Sequence, residues 1–111
     1  GYTRSEKIKI ATDYIIPELI NEYRVEGFGL IFTTELIEHL VDLHAHDSGI
    51  RSLKRSLKML IESIIMIHYT GGELPTSITI AEYRRVMQVD VPKAKRSTKK
   101  NRQKPKIDFN Y

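Results

Sequence analysis

Apolar side chains recur every three or four residues along much of the chain, which is the spacing of amphipathic α-helices. The longest such series lies between residues 50 and 68 and consists of Ile50, Leu53, Leu57, Leu60, Ile61, Ile64 and His68. Burying five or six aliphatic side chains contributes on the order of 10 kcal/mol before chain entropy is subtracted, at about 1.5–3 kcal/mol each. The series therefore predicts the packing spine of a small helical domain.

Two shorter series predict two helices ahead of this spine. The first contains Ile8, Ala11, Ile15, Leu19, Ile20 and Tyr23, and the second contains Leu36, Ile37, Leu40, Val41 and Leu43. Pro17 stands inside the first series, where its ring and its missing N–H disturb helical hydrogen bonding. We therefore expect the first helix to bend near Ile16. Thr33 and Thr34 precede the second helix as candidate N-caps.

Threonines with a glutamate three residues later mark two more helix starts. Thr3 and Glu6 have this capping-box spacing, and so do Thr79 and Glu82. The first pair predicts that a helix begins close to the N-terminus. The second pair predicts a short last helix over residues 81–89.

Two short β-prone runs, Leu30–Phe32 and Ile78–Ile80, each lie just before a predicted helix. The second and third helices stand between them and can serve as the crossover that two parallel strands require. We therefore pair the runs as a two-stranded parallel ribbon. The predicted fold is mainly α, with four helices and this short β piece over residues 1–91.

The chain has 111 residues, no cysteine and a formal net charge of +4. This length supplies one small domain, and the lack of thiols excludes a disulfide framework and a cysteine-based metal site. No apolar run reaches the ~20 residues of a membrane span, so we expect a soluble protein without a membrane partner. Because the chain starts at Gly1 rather than methionine, we interpret it as an excised piece of a longer chain.

The positive charge is concentrated at the C-terminus. Residues 1–91 carry a formal charge of −3, whereas residues 92–111 carry +7 and have no apolar periodicity. Such a segment buries too little apolar surface to offset the entropy of ordering, so it is predicted to be a basic tail that is disordered or becomes ordered only with a partner. Its cations can neutralise phosphates, which makes nucleic-acid binding one candidate role. The alternatives are a solvated tail, a nuclear-localisation signal or a solubility signal. The candidate nucleic-acid contacts are Lys93, Lys95, Arg96, Lys99, Lys100 and Arg102.

The loop after the second helix places Arg51 in the first turn of the third. A helix N-terminus carries partial positive charge, so a cation there is unfavourable by a few tenths up to about 1 kcal/mol. A bound phosphate would offset this cost, because guanidinium groups and free backbone N–H groups both bind anions. The alternative is an ordinary surface arginine that faces water.

Residues 48–55, Ser-Gly-Ile-Arg-Ser-Leu-Lys-Arg, resemble the motif that opens the penultimate helix of the AAA+ lid in Lon proteases. By that resemblance Arg51 is the sensor 2 arginine, which reads the phosphates of the bound nucleotide, and Gly49 and Ile50 belong to the same site. The opening Gly-Tyr-Thr, together with the Ile-Ala of the first helix, also resembles the Lon lid. It implies that Tyr2 and Ile10 lie close to the adenine, the alternative being that both simply pack into the core.

The resemblance implies a larger machine around this segment. A Lon-type lid completes an ATP or ADP site whose Mg²⁺ is held by the AAA+ core domain of the same parent chain, and the parent forms a homo-oligomer, in this family a hexamer, that acts on protein substrates inside the cell. The segment itself lacks a phosphate-binding Gly-Lys loop, a magnesium-binding Asp-Glu run and a nucleophile–base pair. It is therefore not an enzyme alone, and the parent is an ATP-dependent serine protease or a protease-lacking relative.

Two stretches depart from the Lon pattern. Residues 44–49 read His-Ala-His-Asp-Ser-Gly where the family has aromatic-Thr-Arg-Glu-Ala-Gly, and the last helix lacks the Leu-Gly that leads into the protease domain. The two histidines lie two residues apart, a spacing that does not share a helix face, so we do not predict a metal site there. A nucleic-acid-binding module and a free-standing helical adaptor remain the competing function classes.

Overall fold

The computed structural model describes the backbone of residues 1–90 and the side chains of residues 1–88. This part consists of one two-stranded sheet and four main helices, when the uninterrupted helical run of residues 4–23 is counted as one. In chain order the elements are α1 (Arg4–Ile10), a π-helical segment (Ala11–Ile15), α2 (Ile16–Tyr23), a 3₁₀ helix (Glu26–Phe28), β1 (Ile31–Phe32), α3 (Thr34–Leu43), α4 (Arg51–Tyr69), β2 (Ser77–Ile78) and α5 (Ile80–Asp90). The predicted mainly helical fold with a short parallel β piece is confirmed. The predicted tail, residues 92–111, lies outside the described residues.

The predicted caps form at the helix starts. The Thr3 hydroxyl accepts a hydrogen bond from the Glu6 N–H at 3.2 Å, and the Glu6 carboxylate accepts one from the Thr3 N–H at 2.9 Å. Thr33 and Thr79 each accept a hydrogen bond, also at 3.2 Å, from the backbone N–H three residues later. These bonds satisfy donors that have no partner within the helix, so local sequence fixes where the helices begin.

The segments α1, π and α2 run without interruption from residue 4 to residue 23, and we call them the N-terminal rod. The N–H of Ile16 donates five residues back, to the Ala11 carbonyl. Pro17 follows directly and has no N–H for the usual bond four residues back, and its ring would crowd the carbonyl there. At the position where the sequence predicts a bend, the helix therefore has a π-helical turn.

The side chain of Tyr23 fastens the end of the N-terminal rod to α4. Its hydroxyl donates to the Glu62 carboxylate at 2.5 Å. This hydrogen bond to a carboxylate favours the neutral phenol and raises the pKa of Tyr23 to about 12. The two helices are therefore joined by a polar contact in addition to their apolar packing.

Helix α4 supplies much of the apolar core, as its periodicity predicts. Its buried residues are Leu53, Leu57, Leu60, Ile61, Ser63, Ile64 and Ile67. The rod adds Ala11, Ile15, Ile16 and Leu19, α3 adds Leu36, Ile37, Leu40 and Val41, and Val25, Ile78 and Val86 complete the cluster. One helix thus packs against elements that precede it and elements that follow it in the chain.

Two residues assigned to apolar faces by periodicity are exposed instead. His68 was expected on the core face of α4, but Ile67 is buried in its place, and the His68 ring packs beside Phe28 with centroids 4.6 Å apart. Leu43 ends α3 and is 52% exposed. The two causes differ, because the buried face of α4 ends on Ile67, three residues after Ile64, rather than on His68, four residues after it, whereas Leu43 is the last residue of α3.

The two-stranded sheet is parallel, with Ile31 opposite Ser77 and Phe32 opposite Ile78. The Ile31 N–H donates to the carbonyl of Thr76 at 2.7 Å. Helices α3 and α4 form the crossover, as predicted. The second strand was expected to reach Ile80, but that residue already belongs to α5.

No helix in residues 1–90 has the length and apolar character required to cross a membrane.

Candidate functional site

The loop between α3 and α4 is organised by the side chain of Asp47. One carboxylate oxygen accepts a hydrogen bond from the N–H of Gly49 and the other from the N–H of Ser52, both at 3.2 Å. Hydrogen bonding by Ser52, and then by Gly49, holds the pKa of Asp47 below its usual value. The loop and the first turn of α4 are therefore locked together by one acidic residue.

Arg51 is the first residue of α4, as the sequence predicts, and its side chain is exposed. Within residues 1–88 its guanidinium has neither an ion-pair partner nor a hydrogen-bond partner. It borders an open concavity of about 970 Å³, which is the size of a small-molecule site. The residues that line this concavity are Tyr2, His46, Asp47, Ser48, Gly49, Ile50, Arg51, Ser52 and Lys54.

The N-terminal arm, residues 1–3, lies against the same loop. The N–H of Tyr2 donates to the Ser48 carbonyl at 3.0 Å, and a Cβ added at Gly1 would lie only 2.9 Å from that carbonyl oxygen. The Tyr2 side chain is half exposed and lines the concavity. The structure thereby brings Tyr2 to the same site as Arg51, although 49 positions separate them in the sequence.

Four of the five candidate nucleotide contacts therefore line one concavity, namely Tyr2, Gly49, Ile50 and Arg51. Ile10, the fifth, is not among its lining residues. Its side chain is partly buried and packs against the apolar core from the end of α1. The structure supports the core-packing interpretation of Ile10 and not a direct place in this concavity.

The backbone at the start of α4 is less open to an anion than the sequence suggested. The Asp47 carboxylate already occupies the Ser52 N–H, which is one of the free donors of the first turn. Lys54 adds a second cation to the concavity, and its Nζ lies 3.9 Å from an exposed Glu18 carboxylate, a contact too exposed to neutralise it. An anion bound here would depend mainly on the Arg51 and Lys54 side chains.

Lys7 is a residue of this region that sequence analysis missed. It is 5% exposed, and its Nζ donates to the main-chain carbonyl of Asp47. A pattern in the sequence could have found it, because Lys7 lies one helical turn before Ala11 and two turns before Ile15, on the buried stripe of the N-terminal rod.

The N-terminal rod is also fastened to α3 near the site. Arg4 makes a two-pronged contact with Asp42, with Nε–Oδ1 at 2.7 Å and a second nitrogen–oxygen distance of 3.2 Å. Hydrogen bonding to Arg4 holds the pKa of Asp42 below its usual value. Both side chains are more than half exposed, so the pair orients α1 more than it stabilises the fold.

His44, directly after α3, forms a polar contact with α4. His44 Nε2 lies 2.6 Å from the Ser56 hydroxyl oxygen. Partial burial, and then the neighbouring His46, hold the pKa of His44 below its usual value. Among the described side chains, no three histidine, aspartate or glutamate residues converge into a metal-binding group.

The candidate nucleic-acid contacts, from Lys93 to Arg102, lie outside the residues that the structure describes.

Comparison with known proteins finds Lon proteases repeatedly. The Lon protease of Wolbachia pipientis subsp. Culex pipiens is 37% identical over 78 residues, which is 70% of this chain and 10% of that protein. The Lon protease of Cytophaga hutchinsonii is 33% identical over 87 residues, covering 78% of this chain and 11% of the relative. The Lon protease of Halothermothrix orenii is 24% identical over 102 residues, or 92% of this chain and 13% of the relative.

The chain thus spans about a tenth of the length of the curated relatives that it matches. No protein-family model matches it. No solved structure matches it significantly.

Proposed function

Because the chain carries a Lon-type region, we propose that it is the nucleotide-sensing lid subdomain of a Lon-like AAA+ ATPase, with Arg51 as its sensor 2 arginine. The observation that supports this most is the position of Arg51. An exposed guanidinium stands at a helix N-terminus, where a cation is disfavoured, and it faces a concavity rather than a carboxylate of the described part. A nucleotide phosphate would compensate for both features.

The side chains of the concavity would contact different parts of a bound nucleotide. Arg51, with its planar pair of donors, would bind oxygens of the β- or γ-phosphate. Tyr2 would lie toward the base, since an aromatic ring offers a flat apolar surface to adenine. The backbone at Gly49 borders open space in which a ligand could lie, because a Cβ added there would meet only the Asp47 carboxylate, at 3.9 Å.

This subdomain would transmit the state of the nucleotide through rigid-body movement. When the γ-phosphate is present, the contact with Arg51 would hold the lid toward the rest of the ATP site, and hydrolysis would release it. A positioned cation also stabilises charge that develops on the transferring phosphoryl group. The same residue could therefore affect both the chemical step and the movement that follows it.

The remaining parts of the ATP site would lie outside this chain, in other parts of the parent protein. A core domain of the same parent chain would bind most of the ATP or ADP and its Mg²⁺. The parent would assemble as a homo-oligomer, a hexamer by the family resemblance, and act inside the cell on protein substrates as an ATP-dependent protease or unfoldase. In that assembly the present chain contributes sensing and coupling, and the catalytic residues lie elsewhere.

The test is the rate of ATP hydrolysis by the full-length protein that contains this chain. Arg51→Ala should lower turnover by one or more orders of magnitude, because such a charge contact is typically worth about 3–4 kcal/mol. The lid should remain folded, because the Arg51 side chain is exposed and alanine favours helix. Arg51→Lys should restore only part of the activity, since an ammonium group lacks the two-pronged geometry.

Arg55→Ala is the matched control, because Arg55 is exposed one turn further along α4 and does not line the concavity. Its turnover should stay close to that of the unchanged protein. Full activity of Arg51→Ala, with circular dichroism showing an intact fold, would rule out the sensor role.

A second candidate function rests on the basic segment. Residues 92–111 carry a formal charge of +7, whereas the preceding 91 residues carry −3. We infer that any affinity for nucleic acid resides in this segment and is independent of sequence, because Lys and Arg would contact phosphates rather than base edges.

A further inference from the structure

The side chain of Lys7 is buried, although a charged side chain rarely becomes buried without a partner. Lys7 is 5% exposed, and its Nζ donates to the carbonyl oxygen of Asp47, 40 positions away in the chain. Packing alone does not explain this choice of residue. A methionine or leucine would fill the same space without the cost of removing a charge from water.

The bond made by Lys7 reaches the residue that organises the candidate site. The carboxylate of Asp47 holds the N–H groups of Gly49 and Ser52, and thus the start of α4. The next carbonyl, that of Ser48, accepts the N–H of Tyr2. The loop is therefore held at three places. Lys7 binds the carbonyl of Asp47, the N-terminal arm binds the carbonyl of Ser48, and the Asp47 carboxylate binds the first turn of the helix that carries Arg51.

The surroundings of Lys7 indicate an electrostatic role as well as a mechanical one. The positive charge of Lys7 lies close enough to Asp47 to favour its ionised form, although hydrogen bonding by Ser52 and Gly49 contributes more to this effect. An ionised carboxylate makes stronger hydrogen bonds to the two N–H groups than a neutral one. Removing the ammonium should therefore weaken both the carbonyl contact and the carboxylate contacts of the same residue.

We propose that Lys7 is a positioning residue of the nucleotide site, holding the Asp47–Gly49 loop so that Tyr2 and Arg51 face one concavity. Lys7 does not line the concavity and does not touch the nucleotide in this role. The hydrogen bonds alone support the contact between Lys7 and the loop, whereas its effect on nucleotide binding rests on the proposed function.

The first measurement is amide hydrogen exchange by NMR on the complete 111-residue chain. Lys7→Met keeps an unbranched side chain of similar length and removes the ammonium. Exchange at the Tyr2, Gly49 and Ser52 amides should accelerate on the order of tenfold or more, as expected when a hydrogen bond to a charged group is lost. Amides in the middle of α4, residues 57–61, should keep their protection.

Lys9→Met is the matched control. Lys9 lies two positions further along α1, is about three-quarters exposed and pairs with Asp13 on the surface. The same substitution there removes one positive charge from the same helix without touching the loop. Exchange at the three amides should not change.

The second measurement is affinity for ADP and for inorganic pyrophosphate, determined by calorimetric titration of the full-length protein that contains this chain. Lys7→Met should weaken binding of both probes about tenfold while Arg51 is intact, because a disordered loop must be ordered again on binding. Lys9→Met should bind them as the unchanged chain does. Different affinities in the two variants would separate loop positioning from a general loss of positive charge.

Chemical rescue makes the test specific for the amine. The chain contains no cysteine, so Lys7→Cys can be alkylated at that position alone under denaturing conditions and then refolded. Alkylation with 2-bromoethylamine restores a terminal amine at nearly the original length, and alkylation with 1-bromopropane gives a neutral side chain of the same size. The amine form should recover the exchange protection and the affinity, and the neutral form should not.

Each outcome decides a separate point. Equal protection at Gly49 and Ser52 in the amine and neutral forms would overturn the positioning role, and so would a neutral form that fails to fold, because the effect would then be global. A looser loop with unchanged affinity would also overturn it. If the unchanged full-length protein binds neither probe, the proposed nucleotide role fails, and the exchange data by themselves still decide whether Lys7 holds the loop.

Discussion

At the scale of single residues, Arg24 at the end of the N-terminal rod has an unfavourable backbone conformation. Arg24 follows α2 with φ = 58°, in the left-handed region that residues with a Cβ rarely adopt. The conformation is kept because the Val25 N–H donates to the Ile20 carbonyl at 3.1 Å while Val25 itself is buried. This is the arrangement in which helices usually end on glycine.

Arg24→Gly should therefore raise the free energy of unfolding by about 0.5–1 kcal/mol, since glycine removes the steric cost and returns only part of it as unfolded-chain entropy. Urea titration followed by circular dichroism measures this. Gly29→Ala is the converse control, because Gly29 has φ = 65° and open space around an added Cβ. It should destabilise by a similar amount, and a loss of stability in Arg24→Gly would contradict the explanation.

The carboxylate of Asp47 predicts how stability depends on pH. Hydrogen bonds from Ser52 and Gly49 lower its pKa in the folded chain, so the unfolded chain binds the proton more readily. The stabilisation is therefore complete well above the unfolded pKa of about 3.9 and is lost as pH falls through the lower folded value. Asp47→Asn should reduce stability at neutral pH, and the difference from the unchanged chain should shrink below about pH 4. Urea titrations across this range test it, and a constant difference down to the acid limit would contradict it.

The sequence pointed to the residues that line the concavity from the start of α4, but not to the buried lysine behind the loop. Arg51 and Gly49 could be identified because a helix start and a glycine loop are local patterns. Lys7 could not be assigned its role in the same way, because its partner is a main-chain carbonyl 40 positions away, and carbonyl groups have no sequence pattern of their own. Tyr2 joins the site through an equally distant carbonyl, that of Ser48.

At the scale of elements, local chemistry decided where helices begin, and tertiary contacts decided what their ends bury. Thr3, Thr33 and Thr79 mark their helices correctly because a cap and its N–H lie three residues apart. His68 and Leu43 were misplaced because burial at a helix end depends on what lies across from it. The π-helical turn before Pro17 escaped prediction, since sequence indicates that a proline disturbs a helix but not which hydrogen bonds replace the lost one.

The central position of α4 predicts which substitutions unfold the domain. Leu57 is fully buried, so Leu57→Ala should destabilise by about 3–5 kcal/mol through lost burial and a residual cavity. Met59 lies on the same helix and is 45% exposed, and Met59→Ala should change stability by well under 1 kcal/mol. Urea unfolding of the two variants measures the contrast. Equal effects would show that α4 is not the packing centre of the chain.

At the scale of the whole molecule, the distribution of charge separates the two proposed roles. Residues 1–91 have a net formal charge of −3, and the described part of the chain within them includes the loop and the concavity with Arg51. The excess of positive charge follows in residues 92–111. A deletion of this segment should therefore leave the nucleotide site in place, whereas substitutions at the site should leave any polyanion binding in place.

The last prediction follows from that separation. Residues 92–111 contain eight Lys and Arg, so deleting them should abolish binding of the 111-residue chain to both DNA and RNA. If all eight contact phosphates of duplex DNA, the logarithm of affinity should fall against the logarithm of salt concentration with a slope approaching about −7, at roughly −0.9 per contact. Fluorescence anisotropy at several salt concentrations measures both effects. The matched control is the combined replacement of Lys54, Arg55 and Lys58 by alanine, which removes an exposed cationic patch of α4 and should leave the slope unchanged. Binding that survives the deletion but not the control would place the affinity on α4 instead, beside Arg51, where nucleic acid and nucleotide would compete for the same surface.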